Sequence, residues 1–393
     1  MGPIAPGLSD SERRVLQIIW LNGPMPRHEI AERSGLGGAS ITRLTRDLEQ
    51  RGLVSDSILR EGKLGQPTRP VAVRGAGAYA FGVNFSHSYI EAGLIDLTGE
   101  LVSRERASLD RADVETIAGT SAAMLEAHAR QHNVPADRIV GAGFSVPGDF
   151  GETPTAFQAH AAFPHLRGRD LRAEFAARVP VPVFVENDAA SAALGERIHG
   201  ACRRIDSFLF VHVGHGVGGG VVLNGQLHRG AHGNAGILGM LYPMSQPRPS
   251  GQDLLDTLSA AGVEAFDFDA LEPLTPESNA PLRRWLARAG GQLGEGLQIA
   301  ARILDPLAIV VGGRLPPALA DALVASIDFD VAFAESRHLP RPSLHVSSLG
   351  SFAGVIGAAS VCMFDTFFAD RDKMNRNETP DPAPTQARLS KKA

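Results

Sequence analysis

Apolar positions in the first fifty residues recur at the spacing of amphipathic helices. Ser9 or Asp10 is a candidate N-cap for a first helix. The apolar residues of this helix are Val15, Leu16, Ile18, Ile19 and Trp20. A second helix is predicted over residues 27–34, and a glycine-rich turn at residues 35–38 precedes a third, predicted from about Ala39 to Arg51. Two helices joined by such a turn predict a helix-turn-helix.

The third predicted helix has one apolar face and one polar, cationic face. Its inward residues are Ile41, Leu44 and Leu48. The opposite face carries Ser40, Thr42, Arg43, Arg46 and Asp47. Arginine can donate two hydrogen bonds to guanine, and hydroxyl groups can bond to phosphate or to a base. The pattern therefore predicts a recognition helix whose DNA contacts are Ser40, Thr42, Arg43 and Arg46.

Residues 57–73 have the pattern of a strand, a glycine-rich tip and a second strand, which predicts a wing. Lys63, Gln66 and Arg69 lie at its tip and are the predicted contacts to the DNA backbone or a narrow minor groove. The same fold can also serve as a protein-interaction or dimerisation module, and that alternative remains open.

From Tyr79 onward, strands and helices alternate. Strands are predicted over residues 79–84, 89–96, 139–146 and 183–186, and a helix over residues 114–131. A helix follows from Asn187, and residues 208–213 with 219–223 form a second predicted hairpin. This order predicts layers of helix and sheet in which the opening arrangement is repeated.

Composition and charge divide the chain in the same way. The 393 residues are 44% hydrophobic and 21% charged, which allows two or three domains and excludes a disordered or membrane profile. Residues 1–78 carry 11 basic and 8 acidic side chains, whereas the remainder carries 27 and 35. A basic head on an acidic body favours a nucleic-acid module, although random surface variation is the alternative.

The two cysteines, Cys202 and Cys362, exclude a disulfide framework and a four-cysteine zinc site, so a reducing cytoplasm is expected. We expect neither export nor a membrane span, because the N-terminus lacks a secretory pattern and no run of 18 apolar residues occurs.

Three stretches carry a family resemblance: residues 185–196, residues 214–225 and residues 229–236. Residues 146–148, 309–313 and 353–359 support them. In this order they resemble the ROK family (repressor, open reading frame, kinase), and the basic head resembles bacterial winged-helix repressors. The resemblance implies an α/β chain: an N-terminal winged helix-turn-helix followed by a two-lobed, actin-like (sugar kinase/RNase H-like) domain. The domain boundaries expected from it are 1–74, then 78–190 with 352–370, then 191–351, and a disordered tail at 371–393.

Kinases of this family carry an aspartate, two glycines and a threonine on the first hairpin, where Asn84, Ser86, His87 and Ser88 stand here. Their second phosphate loop is Gly-Thr-Gly, but this chain has Gly214-His215-Gly216. Protonated His87 and His215 could still bind an anion. The preferred explanation is that these loops are no longer under selection to bind ATP. Asp188 matches the catalytic base and is interpreted as a vestigial base, because the altered loops predict that the protein is not an enzyme.

The resemblance also implies sugar and zinc ligands that are absent. The family's Glu-x-Gly-His motif corresponds to Ile237-Leu238-Gly239-Met240, and no cysteine lies in residues 242–251. We therefore predict no metal and no cofactor. The candidate effector contacts are Asn187, Asp188, His160, His165 and His232. For Asn187 and Asp188, structural capping of the following helix is an equal alternative.

The sequence hypothesis is a repressor that binds a pseudo-palindromic double-stranded operator as a homodimer or tetramer, with a sugar-like or other small-molecule effector. The alternatives are an ATP-dependent sugar kinase that kept a DNA-binding head, and a regulator controlled by a protein partner.

Overall fold

A computed structural model describes residues 7–56, 69–151, 157–160, 163–332, 338–350 and 353–368. The helices are α1 Asp10–Asn22, α2 Arg27–Ser34, α3 Gly38–Gln50, α4 Val114–Gln131, α5 Leu171–Ala176, α6 Asp188–Ile198, α7 Gly251–Ala260, α8 Ala280–Leu304, α9 Pro317–Ala325, α10 Phe329–Ala332 and α11 Ala353–Phe367. The strands are β1 Val54–Asp56, β2 Val71–Val73, β3 Tyr79–Phe85, β4 Tyr89–Asp96, β5 Leu101–Ser108, β6 Ile139–Val146, β7 Gly148–Phe150, β8 Phe157–Ala159, β9 Val183–Asn187, β10 Phe208–Val213, β11 Val217–Leu223, β12 Gln226–Leu227, β13 Ala308–Gly313 and β14 Ser343–Val346.

Helices α1 to α3 and the antiparallel pair β1–β2 form the N-terminal unit. Ser9 caps α1 in a capping box: its hydroxyl accepts from the Glu12 backbone, and the Glu12 carboxylate accepts from the Ser9 backbone at 2.7 Å. The first wing strand, β1, lies before the predicted segment 57–73, so its predicted start was wrong. Lys63 and Gln66 lie outside the described residues, as do residues 369–393 with the predicted tail.

The remaining chain builds two five-stranded sheets with the same topology. One has the order β5-β4-β3-β6-β9 and the other the order β12-β11-β10-β13-β14. In each sheet, an antiparallel meander of three strands is followed by two strands parallel to its first strand. The predicted repetition of the opening arrangement is confirmed, and so is the mixed α/β fold.

Helices α6 and α11 pack against each other, with α11 on β3 and β6 and α6 on β10 and β11. Glycines permit this close packing, because a Cβ at Gly82 would lie 2.0 Å from the Val355 carbonyl oxygen and one at Gly220 would lie 2.5 Å from the Ala189 carbonyl oxygen. The contact places the N-terminus of α6 at the cleft between the sheets. None of the helices in the described ranges is long and apolar enough to cross a membrane.

Candidate functional site

The exposed face of α3 carries all four side chains of this helix that the sequence predicts to contact DNA. Ser40, Thr42, Arg43 and Arg46 are exposed, whereas Ile41, Leu44 and Leu48 are buried. Arg43 pairs with Asp47 at 3.3 Å one turn away, and Arg69, at the start of the segment that leads into β2, is also exposed. The side chains that could enter a major groove therefore share one surface.

Arg27 holds α3 at its angle to the rest of the winged helix. Its Nε donates to Thr45 Oγ1 at 3.1 Å, and its Nη2 donates to Asp56 Oδ1 at 2.9 Å. A single α2 side chain thereby ties α3 to β1.

The second candidate site lies where β9 passes into α6. Asn187 caps the helix, because its Oδ1 accepts from the Ala189 and Ala190 backbones at 2.9 and 3.1 Å. Its Nδ2 donates to the Gly148 carbonyl at 2.6 Å, so both ends of the amide are occupied by the protein. Asp188 accepts from the Ala189 backbone, and its other oxygen lies 3.5 Å from His212 Nε2.

Two cavities meet at Asp188, His212 and Arg314. The first, about 220 Å³, is lined by both lobes of the cleft and includes Asp149, His160, Asn234, Ile237 and Met240. The second, about 180 Å³, extends toward β3 and β4. His160, Asn187 and Asp188 thus lie together, as predicted. His165 and His232 are exposed and line neither cavity, so their role as effector contacts stays a prediction.

The first cavity is lined by the acidic side chains Asp149 and Asp188 and by the imidazole side chains His160, His212 and His215. Partial desolvation, followed by repulsion from Asp188, raises the pKa of Asp149. Burial, followed by the charge of Arg314, lowers the pKa of His215 to about 4, and burial also lowers the pKa of His212. His215 is therefore neutral at neutral pH, which opposes the reading of this loop as a protonated anion site.

Side chains of the protein lie between the hairpins β3–β4 and β10–β11, where the resemblance implies phosphate loops. The ring of His87 stacks on Phe163 at 4.3 Å and lies 5.5 Å from the ring of His215. Arg314 reaches across the cleft, where Nη2 donates to the Phe85 carbonyl at 2.6 Å and Nη1 donates to the Tyr89 hydroxyl at 3.2 Å. These contacts tie the tip of the first hairpin to the opposite side of the cleft.

Arg248 organises the segment in which the resemblance places zinc ligands. Its Nη2 donates to the Gly239 carbonyl at 2.5 Å, and its Nη1 lies 2.8 Å from Met244 Sδ. Within the described ranges no group of three or more His, Cys, Asp or Glu side chains could hold a metal ion. Cys202 and Cys362 are buried, free and remote from this segment in sequence. Arg248 thus links the turn at Gly239 to the segment around Met244.

A helix-turn-helix unit with exposed arginines on α3, joined to two sheets of the same topology, is the architecture of a DNA-binding transcriptional regulator. Residues 80–252 match the ROK family, and residues 8–58 match the MarR family. The chain belongs to the ROK family.

Relatives include both regulators and kinases. The uncharacterized protein y4fQ of Sinorhizobium fredii is 39% identical over 93% of this chain and 94% of its own length. The DNA-binding transcriptional dual regulator NagC of Escherichia coli is 26% identical over 86% of this chain and 90% of its own. A glucokinase of Halalkalibacterium halodurans is 29% identical over 70% of this chain and 92% of its own.

Solved structures share the fold. A ROK family transcriptional regulator, described as a homolog of the E. coli MLC protein, has a TM-score of 0.67 at 22% identity, covering 94% of this chain and 98% of its own. A ROK hexokinase from Thermus thermophilus has a TM-score of 0.58 at 26% identity, covering 73% of this chain and 98% of its own. Likeness to the kinase is limited to about the length of the two-sheet body.

Proposed function

We propose that the protein is a sequence-specific transcriptional repressor whose kinase-like body serves as a sensor and dimerisation unit. The observation that carries this proposal is the exposed polar face of α3, which is held in place by Arg27 beside a two-stranded wing. Arg43 and Arg46 read base edges in the major groove, while Ser40 and Thr42 bind phosphate or bases. Arg69, with the predicted contacts Lys63 and Gln66, binds the DNA backbone. A location with the bacterial DNA, in the cytoplasm, follows from this function.

The loss of kinase activity is part of the proposal. Phosphoryl transfer requires backbone amides and a metal-linked carboxylate against the phosphates. Asn84 stands where that carboxylate is expected, and its Nδ2 donates to Glu91 at 3.3 Å. Arg314 and the His87–His215 pair place side chains between the two hairpins. Asp188 then remains as a wall of the effector cavity rather than as a base.

The first cavity is the proposed effector site. Asp149, Asp188 and His160 offer polar partners on one side, and Ile237 and Met240 supply apolar surface on the other. A hydroxyl facing these apolar side chains would be left unpaired, at a cost of about 1–3 kcal/mol. A polyol or sugar derivative that carries an apolar substituent therefore fits better than an ordinary hexose.

Exposed apolar side chains support a homodimer. On α8, Ile299 is 48% exposed and Ile303 is 76% exposed, and Leu307 follows at 65%. Ile299 and Ile303 line an apolar groove together with Leu241 and Ile237. A self-complementary patch of this kind suits a two-fold interface, which would set two recognition helices on a pseudo-palindromic operator.

The test is fluorescence anisotropy of the full chain with promoter DNA from its own locus and with a base-scrambled duplex of the same composition. Sequence-preferring binding that weakens with salt supports the proposal, and binding that ignores sequence overturns it. A coupled ATPase assay across a sugar panel tests the kinase alternative, which the retained Asp188 and the glucokinase relative favour. Sugar-dependent turnover that is lost in Asp188→Asn would refute the proposed loss of activity.

A further inference from the structure

Two helices begin at the ligand cleft and end on the DNA-binding unit. The first residue of α6 is Asp188, which lines both cavities. The first residues of α11, Ala353 and Gly354, line the second cavity, where a Cβ at Gly354 would lie 2.5 Å from Asn84 Cγ. With a rise of about 1.5 Å per residue, α6 alone spans roughly 16 Å.

Backbone contacts lock these helices to each other and to both sheets. A Cβ at Gly357 of α11 would lie 2.6 Å from the Ser191 carbonyl oxygen of α6. A Cβ at Gly143 of β6 would lie 1.9 Å from the Ala358 carbonyl oxygen. Because such packing leaves no gap, a displacement of the first turn of α6 is passed along the helix instead of being absorbed by side chains.

The far ends of both helices meet Trp20 of α1. His199, the residue that follows α6, contacts the Trp20 ring edge-on with centroids 6.4 Å apart. Phe368, the residue that follows α11, lies 5.1 Å from the same ring. Trp20 is 5% exposed, and its Nε1 donates to the Leu97 carbonyl at 3.0 Å.

Two arginines complete this contact, which we call the Trp20 joint and define as Trp20, His199, Phe368, Arg13 and Arg203. Arg13 of α1 donates to the Thr366 carbonyl at the end of α11. Arg203 Nη2 donates to the Trp20 carbonyl at 3.3 Å. The ring nitrogen Nε2 of His199 is buried and has no hydrogen-bond partner in the described part of the chain. Any rearrangement that supplies a hydrogen-bond partner to this buried nitrogen would lower the free energy of the joint.

We propose that α6 and α11 act as one coupling unit, which transmits occupancy of the effector cavity to the orientation of the winged helix through the Trp20 joint. Trp20 and His199 are positioning residues in this scheme, since they touch neither effector nor DNA. The inference rests on the proposed function, because an effector regulates only if it favours one arrangement of the two units.

The test changes a residue at the cleft end of α6 and measures the effect on DNA binding and on α1. Asn187→Ala removes the acceptor for two backbone amides at the start of α6. Asn279→Ala is a matched control, because Asn279 caps α8, which has no residue in the Trp20 joint. Operator affinity of the full chain is measured by anisotropy, and backbone hydrogen exchange is measured across α1.

Asn187→Ala is expected to change operator affinity by about fivefold or more, the lower end of typical allosteric couplings, and to alter exchange in α1. Asn279→Ala is expected to change neither. In a Trp20→Phe background, the effect of Asn187→Ala on affinity should disappear, as a double-mutant cycle would show. If Asn187→Ala does not fold, Asn187→Ser, which retains a capping oxygen, is used with the same expectations at smaller amplitude.

Equal effects of the two cap variants, no effect of a folded Asn187 variant, or an unchanged effect in the Trp20→Phe background would each overturn the coupling unit. Failure of the wild-type chain to bind any operator would instead refute the proposed function. Hydrogen exchange in α1 would still test the coupling in that case, so the two failures are distinguishable.

Discussion

The substitution Arg43→Ala separates DNA recognition from stability. The Arg43 side chain is 68% exposed, and its ion pair with Asp47 at 3.3 Å joins two residues of one helix face. Exposed pairs of this kind contribute about 0.3–0.5 kcal/mol. Alanine also has a high helix propensity, so the free energy of unfolding should change by less than about 0.5 kcal/mol.

Operator binding should respond much more strongly. A bidentate contact between arginine and guanine contributes about 1–3 kcal/mol of discrimination, so Arg43→Ala should weaken operator binding about 5- to 150-fold. Binding to a scrambled duplex should change far less, because a base contact is lost and the phosphate contacts remain. The assay is a pair of anisotropy titrations with urea unfolding on the same samples.

Asp47→Ala is the matched control for this experiment. It breaks the same ion pair but leaves Arg43 in place, and it removes a negative charge from the DNA-facing side of α3. Its operator affinity should therefore equal or exceed that of the wild type. The reasoning is refuted if Arg43→Ala keeps wild-type base preference, or if Asp47→Ala loses as much affinity as Arg43→Ala.

Three further predictions test the body and the joint. Glu186→Gln should lower the free energy of unfolding by about 1–3 kcal/mol in urea melts, because Glu186 is 3% exposed and accepts from Arg229 at 2.8 Å; an unchanged midpoint would contradict this. Ile303→Asp should shift the particle mass in light scattering from dimer to monomer, whereas Phe266→Ser, at an exposed apolar residue outside that patch, should not. Burial, followed by the charge of Arg203, lowers the pKa of His199 from 6.5 to about 3. Between these two pKa values the unfolded chain binds a proton at His199 that the folded chain does not, so the folded state loses stability as pH falls through this range. The free energy of unfolding should fall by up to about 1.4 kcal/mol per pH unit below pH 6.5, and His199→Gln should flatten that slope.

The hydrophobic pattern predicted the bounds of several elements closely. The predicted bounds of α4 and β6 agree with the structure, and α3 differs by one residue at each end. The apolar stripe Ile41, Leu44 and Leu48 is buried as expected, because a helix period of 3.6 leaves only one way to hide all three. The first wing strand begins at Val54 and not at the predicted residue 57. The three residues Val54–Asp56 are too few to show the alternation of a strand.

The cleft was harder to predict because its walls come from distant parts of the chain. Asp149, His212 and Arg314 line the first cavity together with Asp188, yet nothing in the residues around them marks them as neighbours. The resemblance located Asn187 and Asp188 and left effector contact and helix capping open as their roles; the structure shows that Asn187 caps α6. His165 and His232 were chosen by residue type, and burial rather than type decides which histidines face a cavity.

The central claim is that α3 of this ROK protein reads a DNA sequence. Its most direct test is the ratio of dissociation constants of the full chain for a duplex selected from its own promoter and for the scrambled duplex, at one fixed salt concentration. A ratio of about 10³ or more, the lower end for specific DNA-binding proteins, is the predicted result. Equal dissociation constants for the two duplexes would contradict the account.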